Sequence, residues 1–188
     1  MTATVTKSTM ETYDIRKGGE WATFCVRRWA DEQPGRFGGE ILIHSSFGNY
    51  SNSWSACGVD FRQFLINTNY HYFMDKVLPN EHEEYDHEAT VAALKKAVIE
   101  GLRKTKEFDK EQARAIFEAI KDLPHCTTTD QFVHEALNSH EIAQMTCSEP
   151  WHYATMREKP GPVWFWRELW PVFVAELRKE LDAEKAVA

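Results

Sequence analysis

The sequence predicts an α+β fold, in which an N-terminal antiparallel meander of three strands, or four in an alternative interpretation, packs against a C-terminal bundle of about four to six helices. Apolar residues alternate with polar ones before Gly58, whereas after it they recur every three or four positions. With 188 residues, 43% of them hydrophobic, the chain can bury one core. We therefore expect a flexible arm over residues 1–19 and a single domain over 20–188, with the sheet in 20–58 and mostly helices in 60–188.

Three segments have the composition or the alternation of β-strands. Residues 21–29 are rich in aromatic and β-favouring side chains, and glycine and proline residues then close the segment off. Residues 40–47 and 50–57 alternate, and Gly48-Asn49 between them is typical of a tight hairpin turn. In the third strand, aromatic residues occupy one face and serines the other, so we expect helices to cover only one side of the sheet.

The run at residues 64–66 is ambiguous, because three consecutive apolar residues suit either a helix or a fourth strand. In the helical interpretation, Asp60 caps a helix that contains the run. A second helix, capped by Asn67 or Asn69, then ends before Pro79.

An acidic connector at residues 80–88 precedes three amphipathic helices and a C-terminal helical segment. The residues that mark the starts of the three helices are Asp86, Asp109 with Gln112, and Thr128 or Thr129. After Pro162, apolar residues recur every four positions, which predicts the central packing helix. Pro171 should kink or restart that helix, since proline lacks the N–H group that helix hydrogen bonding needs.

Charge and composition limit the partners that we expect. The net charge is −7, and the acidic excess falls after residue 80, which disfavours nucleic acid as a partner. Four widely spaced cysteines without a C-x-x-C pair predict reduced thiols. No run approaches the ~20 apolar residues of a membrane span, and the N-terminus lacks the apolar stretch of a signal peptide. We expect a cytoplasmic protein without a membrane partner; the oligomeric state is left open.

The sequence contains no established catalytic, phosphate-binding or metal-binding signature, so we predict no catalytic residue, no metal ligand and no cofactor. One enzymatic alternative stays open, namely metal-assisted hydrolysis that uses His44, or the pair His82 and His87, with nearby carboxylates. A candidate acidic surface in the connector consists of Glu83, Glu84 and Asp86.

The predicted strands carry a candidate partner-binding site, in which aromatic rings lie beside guanidinium groups. Tyr50 and Trp54 supply the rings, and the charges come from Arg27, Arg28 and Arg36. This mixture is typical of protein-interface anchors and of surfaces that stack single-stranded nucleic acid. The site requires both rings to be exposed, whereas large aromatic side chains are mostly buried.

Several segments together resemble a group of uncharacterised accessory proteins encoded by tailed phages and prophages of proteobacteria. The segments are GEILIHSSFGNYSNSWSACG (39–58), FRQFLINTNYHYFMDKVL (61–78), DKEQARAIFEAI (109–120), EPW (149–151) and FWRELWPVFVAEL (165–177). The resemblance covers most of residues 20–180 and includes no catalytic motif. It implies a phage accessory protein that acts inside a bacterial host, and small proteins of this kind often bind host defence or replication machinery.

These observations favour a non-enzymatic phage protein that binds a host protein of defence or nucleic-acid processing and modulates or inhibits it. Binding of single-stranded nucleic acid through the sheet is the alternative, which the net charge disfavours. Both hypotheses place the protein in the cytoplasm of the host cell.

Overall fold

The computed structural model describes residues 2–30, 37–106 and 108–187, which form an α+β fold. The strands are β1 (Glu11–Lys17), β2 (Glu20–Ala30), β3 (Phe37–Ser45), β4 (Gly48–Trp54), β5 (Glu83–Tyr85) and β6 (Met156–Glu158). The α-helices are α1 (Phe61–Asn67), α2 (Tyr70–Val77), α3 (His87–Glu100), α4 (Lys110–Lys121), α5 (Thr129–Asn138), α6 (His140–Met145), α7 (Pro160–Glu168) and α8 (Trp170–Val187). Short π and 3₁₀ helices occupy Gly101–Thr105 and Pro150–Tyr153.

The chain forms two compact units. The first comprises Met1–His82 with Lys159–Ala188, and the second comprises Glu83–Glu158. The assignment of residues 20–188 to a single domain stays a prediction. None of the described helices combines the length and hydrophobicity that crossing a bilayer requires.

The main sheet is an antiparallel meander of four strands in the order β1-β2-β3-β4. The three predicted strands are confirmed, but the fourth strand is Glu11–Lys17, which the sequence had placed in a flexible arm. Strand β1 was not predicted because its composition is polar: an edge strand that turns one face to solvent needs few apolar residues. Residues 64–66 lie instead in α1, where the Asp60 carboxylate accepts the first-turn hydrogen bond of the helix.

The turn between β3 and β4 lies two residues before the predicted turn at Gly48-Asn49. Ser46 and Phe47 form the turn, and Ser45 lies opposite Gly48. In this register Gly39 lies opposite Trp54, and the absence of a side chain at Gly39 makes room for the ring of Phe61. The observed register thus lets α1 pack on the sheet, and the hydroxyl of Ser45 closes the turn by donating to the carbonyl of Gly48 at 2.7 Å.

Helices α1, α2, α7 and α8 supply the other side of the first unit's core. The core ring of Phe24 stacks on Phe173 with ring centroids 4.2 Å apart. The four-residue repeat predicted for the C-terminal segment is confirmed, since all four of its members are fully buried: Phe165, Leu169, Phe173 and Leu177. The helix also restarts beside Pro171, as predicted, with α7 ending at Glu168 and α8 beginning at Trp170.

The second unit is mostly helical, and its predicted helix starts are confirmed. Asp86, Asp109 and Thr128 cap α3, α4 and α5 with their side chains, and Asp109 with Gln112 forms the complete capping box. Helix α6 was not predicted from the sequence, and neither was the small antiparallel pair formed by β5 and β6. Both are too short for a periodic pattern to identify them.

Candidate functional site

The two predicted aromatic anchors, Tyr50 and Trp54, lie on the face of the sheet that the helices cover. They are only 2% and 7% exposed. The Trp54 indole N–H donates to the hydroxyl of Tyr72 at 3.0 Å, and the Tyr50 hydroxyl donates to the carbonyl of Phe47 at 3.0 Å. Burial also raises the pKa of Tyr50 to about 12. The expected aromatic platform is therefore not at the surface, and these two rings stabilise the core instead.

The predicted arginines are divided between the two faces of the sheet, because consecutive residues of a strand point in opposite directions. Arg27 lies opposite Glu40 and forms an ion pair with it at 2.7 Å. Arg28 forms ion pairs with Glu11 at 2.7 Å and with Asp60 at 3.5 Å. The third predicted arginine, Arg36, lies outside the described residues. Each of the two described guanidinium groups is thus already compensated by a carboxylate.

The opposite face of the main sheet, which we call the outer sheet face, has no helix packed against it among the described elements of the first unit. Its composition follows from strand alternation and register. Its residues are Thr12, Asp14, Arg16, Trp21, Thr23, Cys25, Arg27, Trp29, Glu40, Leu42, His44, Asn49, Ser51 and Ser53. This face presents rings, one aliphatic side chain, hydroxyls and two charges of each sign.

Large side chains on the outer sheet face remain accessible. Leu42 is 41% exposed and lies opposite Cys25 of β2 and Ser51 of β4. Trp21 packs edge-on against His44 with ring centroids 4.8 Å apart. Arg27 lies over the ring of Trp29 at 5.6 Å, a cation–π contact that holds both side chains in place. The sheet thus presents rigid aromatic groups, although not those that the sequence predicted.

The charges on this face are balanced. Arg16 and Arg27 oppose Asp14 and Glu40, and Asp14 also accepts a 2.6 Å hydrogen bond from the hydroxyl of Thr23. A balanced surface with aromatic anchors is typical of a protein interface, whereas a phosphate backbone requires an excess of cations.

Two hollows adjoin the outer sheet face. One, of about 340 Å³, is lined by residues of β2, β3 and β4 that include Cys25, Leu42 and His44, and by Val77 of α2. The other, of about 460 Å³, lies at the far end of β2, where Arg27, Arg28 and Trp29 meet α1. Both could accept a protruding side chain from a partner.

A buried arginine that the sequence did not reveal, Arg62, contacts Asp60, which lines the hollow at the end of β2, at 3.3 Å. It is 4% exposed and donates to both carboxylate oxygens of Glu184 in α8 at 2.6 Å. Its hydrogen bond to Glu184 raises the pKa of Arg62 above its usual range, despite the opposing effect of burial. Burial alone would raise the pKa of Asp60, but the hydrogen bonds and charge of Arg62 outweigh that effect and lower it. Only the spatial proximity of α1 and α8 could have identified this residue.

The candidate acidic surface lies in the second unit, where two of its three residues have structural partners. Glu84 forms an ion pair with Arg157 at 2.9 Å, and Asp86 accepts the capping hydrogen bond of α3 from the backbone N–H of Ala89. Glu83 is exposed in β5. Its role as part of a binding surface stays a prediction.

The histidines named for the hydrolase alternative have separate surroundings. His44 lies on the outer sheet face, and His82 is buried in the first unit beside Asp75, with Nε2 and Oδ1 3.3 Å apart. In the second unit His87 lies against His125, with ring centroids 4.6 Å apart. Burial, together with the charge of His125, lowers the pKa of His87. Within the described parts of the chain, no three His, Cys, Asp or Glu residues are placed to hold a metal ion.

Comparison with known proteins adds a decisive observation. The model of a phage protein family, Phage_phiTE_072, matches residues 3–180, which is nearly the whole chain. The protein belongs to this phage family. The matched region contains the outer sheet face, the whole of the second unit and most of the first. The resemblance to phage proteins is thereby confirmed at the level of the family. No curated protein and no solved structure matches the chain.

Proposed function

We propose that this member of the phage family is a non-enzymatic accessory protein, which binds a host protein of defence or nucleic-acid processing in the bacterial cytoplasm and modulates or inhibits it. The observation that supports the proposal is the outer sheet face, which combines exposed Leu42, accessible tryptophan rings and balanced charges on a rigid support. Aromatic and arginine side chains dominate the binding energy of protein interfaces. The partner site therefore moves from Tyr50 and Trp54 to the opposite face of the same sheet.

Affinity capture with point variants tests this proposal. Tagged protein is incubated with lysate of a host bacterium, retained proteins are identified by mass spectrometry, and binding of the purified partner is measured by calorimetry. We expect Trp21→Ala and Leu42→Arg each to weaken binding by about tenfold or more, since loss of a central anchor costs roughly 2 kcal/mol.

Trp164→Ala supplies the matched control. Trp164 is 50% exposed in α7, within the same unit but away from the outer sheet face. The control should bind the partner as tightly as the natural chain. The proposal fails if the lysate yields no specific partner, or if the three variants bind that partner equally well.

A second candidate function is the binding of single-stranded nucleic acid through the same face. The accessible rings of Trp21, Trp29 and His44 support it, because aromatic groups on a sheet can stack bases. The pairing of Arg27 with Glu40 weighs against it, since that guanidinium group is not available to a phosphate without loss of the ion pair.

A further inference from the structure

The free edge of β1 forms an interaction surface that is separate from the two hollows. Among the residues that the structure describes, strand β1 pairs with β2 along one side only, because it is the first strand of the open sheet. A groove of about 420 Å³ follows its other side, between β1 and α8. The residues that line the groove are Tyr13, Asp14, Ile15, Arg16, Val172, Phe173 and Glu176.

The floor of this groove is apolar, and one wall is the backbone of a strand. Val172 is 39% exposed, Ile15 is half-buried, and Tyr13 packs edge-on against Phe173 with ring centroids 5.3 Å apart. An exposed strand edge beside apolar side chains can accept another extended segment, whose backbone continues the sheet.

The charges of β1 indicate which segment fits. Asp14 and Arg16 flank Ile15 and point to the outer sheet face, whereas Ile15 points toward the groove floor. If two copies of β1 pair antiparallel about Ile15, each Asp14 lies opposite the Arg16 of the other copy, and the two Ile15 side chains meet. Centring the pair on Asp14 would place Glu11 opposite Lys17 but would also bring two aspartates together, and Glu11 and Lys17 already form ion pairs within their own chain. Centring it on Tyr13 would leave Asp14 and Arg16 without a charged counterpart.

We propose that the chain forms a symmetric dimer through β1, which joins two four-stranded sheets into one continuous sheet of eight strands. Charged residues on an edge strand often prevent pairing, but charges of opposite sign spaced two residues apart favour one antiparallel register. The dimer also covers the exposed Val172 in each copy. The proposal does not depend on the host-binding function.

Charge exchange tests this register directly. Sedimentation equilibrium of the full chain should give twice the chain mass of 21.8 kDa. Asp14→Arg alone and Arg16→Asp alone each place like charges opposite one another, so each should weaken the dimer by about tenfold. The double variant Asp14→Arg/Arg16→Asp restores opposite charges and should restore dimerisation. An equimolar mixture of the two single variants should form a heterodimer.

Circular dichroism of each variant establishes that it is folded before its mass is interpreted. The control Arg114→Ala removes an exposed charge from α4 and should leave the dimer unchanged. If the natural chain stays monomeric at concentrations up to about 1 mM, the proposal is wrong, and the occupant of the groove must then be a strand from another protein. A dimer that is insensitive to both single charge changes overturns it as well, because another surface must then hold the copies together.

Discussion

At the scale of single residues, Gly39 shows how one position joins two elements. Any side chain there would collide with the ring of Phe61, which lies directly against the backbone of β3. We predict that Gly39→Ala lowers the free energy of unfolding by about 2–3 kcal/mol, because α1 must move away from the sheet. Urea denaturation measures the change. Ser53→Ala, an exposed change in β4, should stay within about 0.5 kcal/mol of the natural chain.

His87 links pH to stability in the second unit. In the folded chain its pKa lies below the ordinary value of 6.5, chiefly because the ring is partly buried. Its Nδ1 accepts a hydrogen bond from the backbone N–H of Cys126 at 3.3 Å. The unfolded chain therefore binds the proton more readily. The contribution of His87 to stability is complete above pH 6.5 and is lost as the pH falls from 6.5 through the lower folded pKa.

Replacement of His87 by glutamine keeps a hydrogen-bond acceptor but removes the titration. We predict that His87→Gln flattens the fall in melting temperature between about pH 7 and pH 5. The same replacement at the exposed His140 controls for the loss of a histidine side chain. An unchanged pH profile in His87→Gln would show that other groups cause the dependence.

At the scale of elements, helix starts were predictable because capping is a local interaction. The side chain of Asp109 accepts hydrogen bonds from the backbone N–H groups of Glu111 and Gln112 at 2.9 and 2.8 Å, within four residues of sequence. We predict that Asp109→Ala destabilises the second unit by about 1 kcal/mol, since two N–H groups lose their acceptor. Thermal unfolding followed by far-UV circular dichroism provides the measurement. Arg114→Ala in the same helix should have little effect, and an equal loss in both variants would refute the capping explanation.

At the scale of the whole molecule, the negative net charge of the chain disfavours binding of nucleic acid. The net charge is −7, and the described arginines proposed as phosphate ligands, Arg27 and Arg28, are both in ion pairs. We predict that a fluorescein-labelled single-stranded oligonucleotide binds more weakly than about 100 µM at 50 mM salt. Fluorescence anisotropy measures this. Micromolar binding that weakens steeply with added salt would favour the nucleic-acid hypothesis over the host-protein proposal.

Much of the fold was predictable because its signals are local. Composition identified β2, and alternation identified β3 and β4. Side-chain caps located α1, α3, α4 and α5, and a four-residue repeat identified the buried C-terminal helices. Strand β1 was missed because its solvent-facing residues dilute the apolar pattern. The turn after β3 was misplaced because register is set by pairing along the whole of both strands, and one glycine does not determine it.

The sequence alone determined the class of fold, the starts of the principal helices and the resemblance to phage proteins, because each depends on residues close together in the chain or on their order. Tertiary structure decided which face of the sheet is buried, and with it the location of the candidate site. Alternation separates Tyr50 and Trp54 from Leu42 and His44, but it does not say which set the helices cover. That choice depends on contacts such as those of Phe24 with Phe173 and of Tyr50 with Phe165, which join residues distant in sequence and form only when the chain folds.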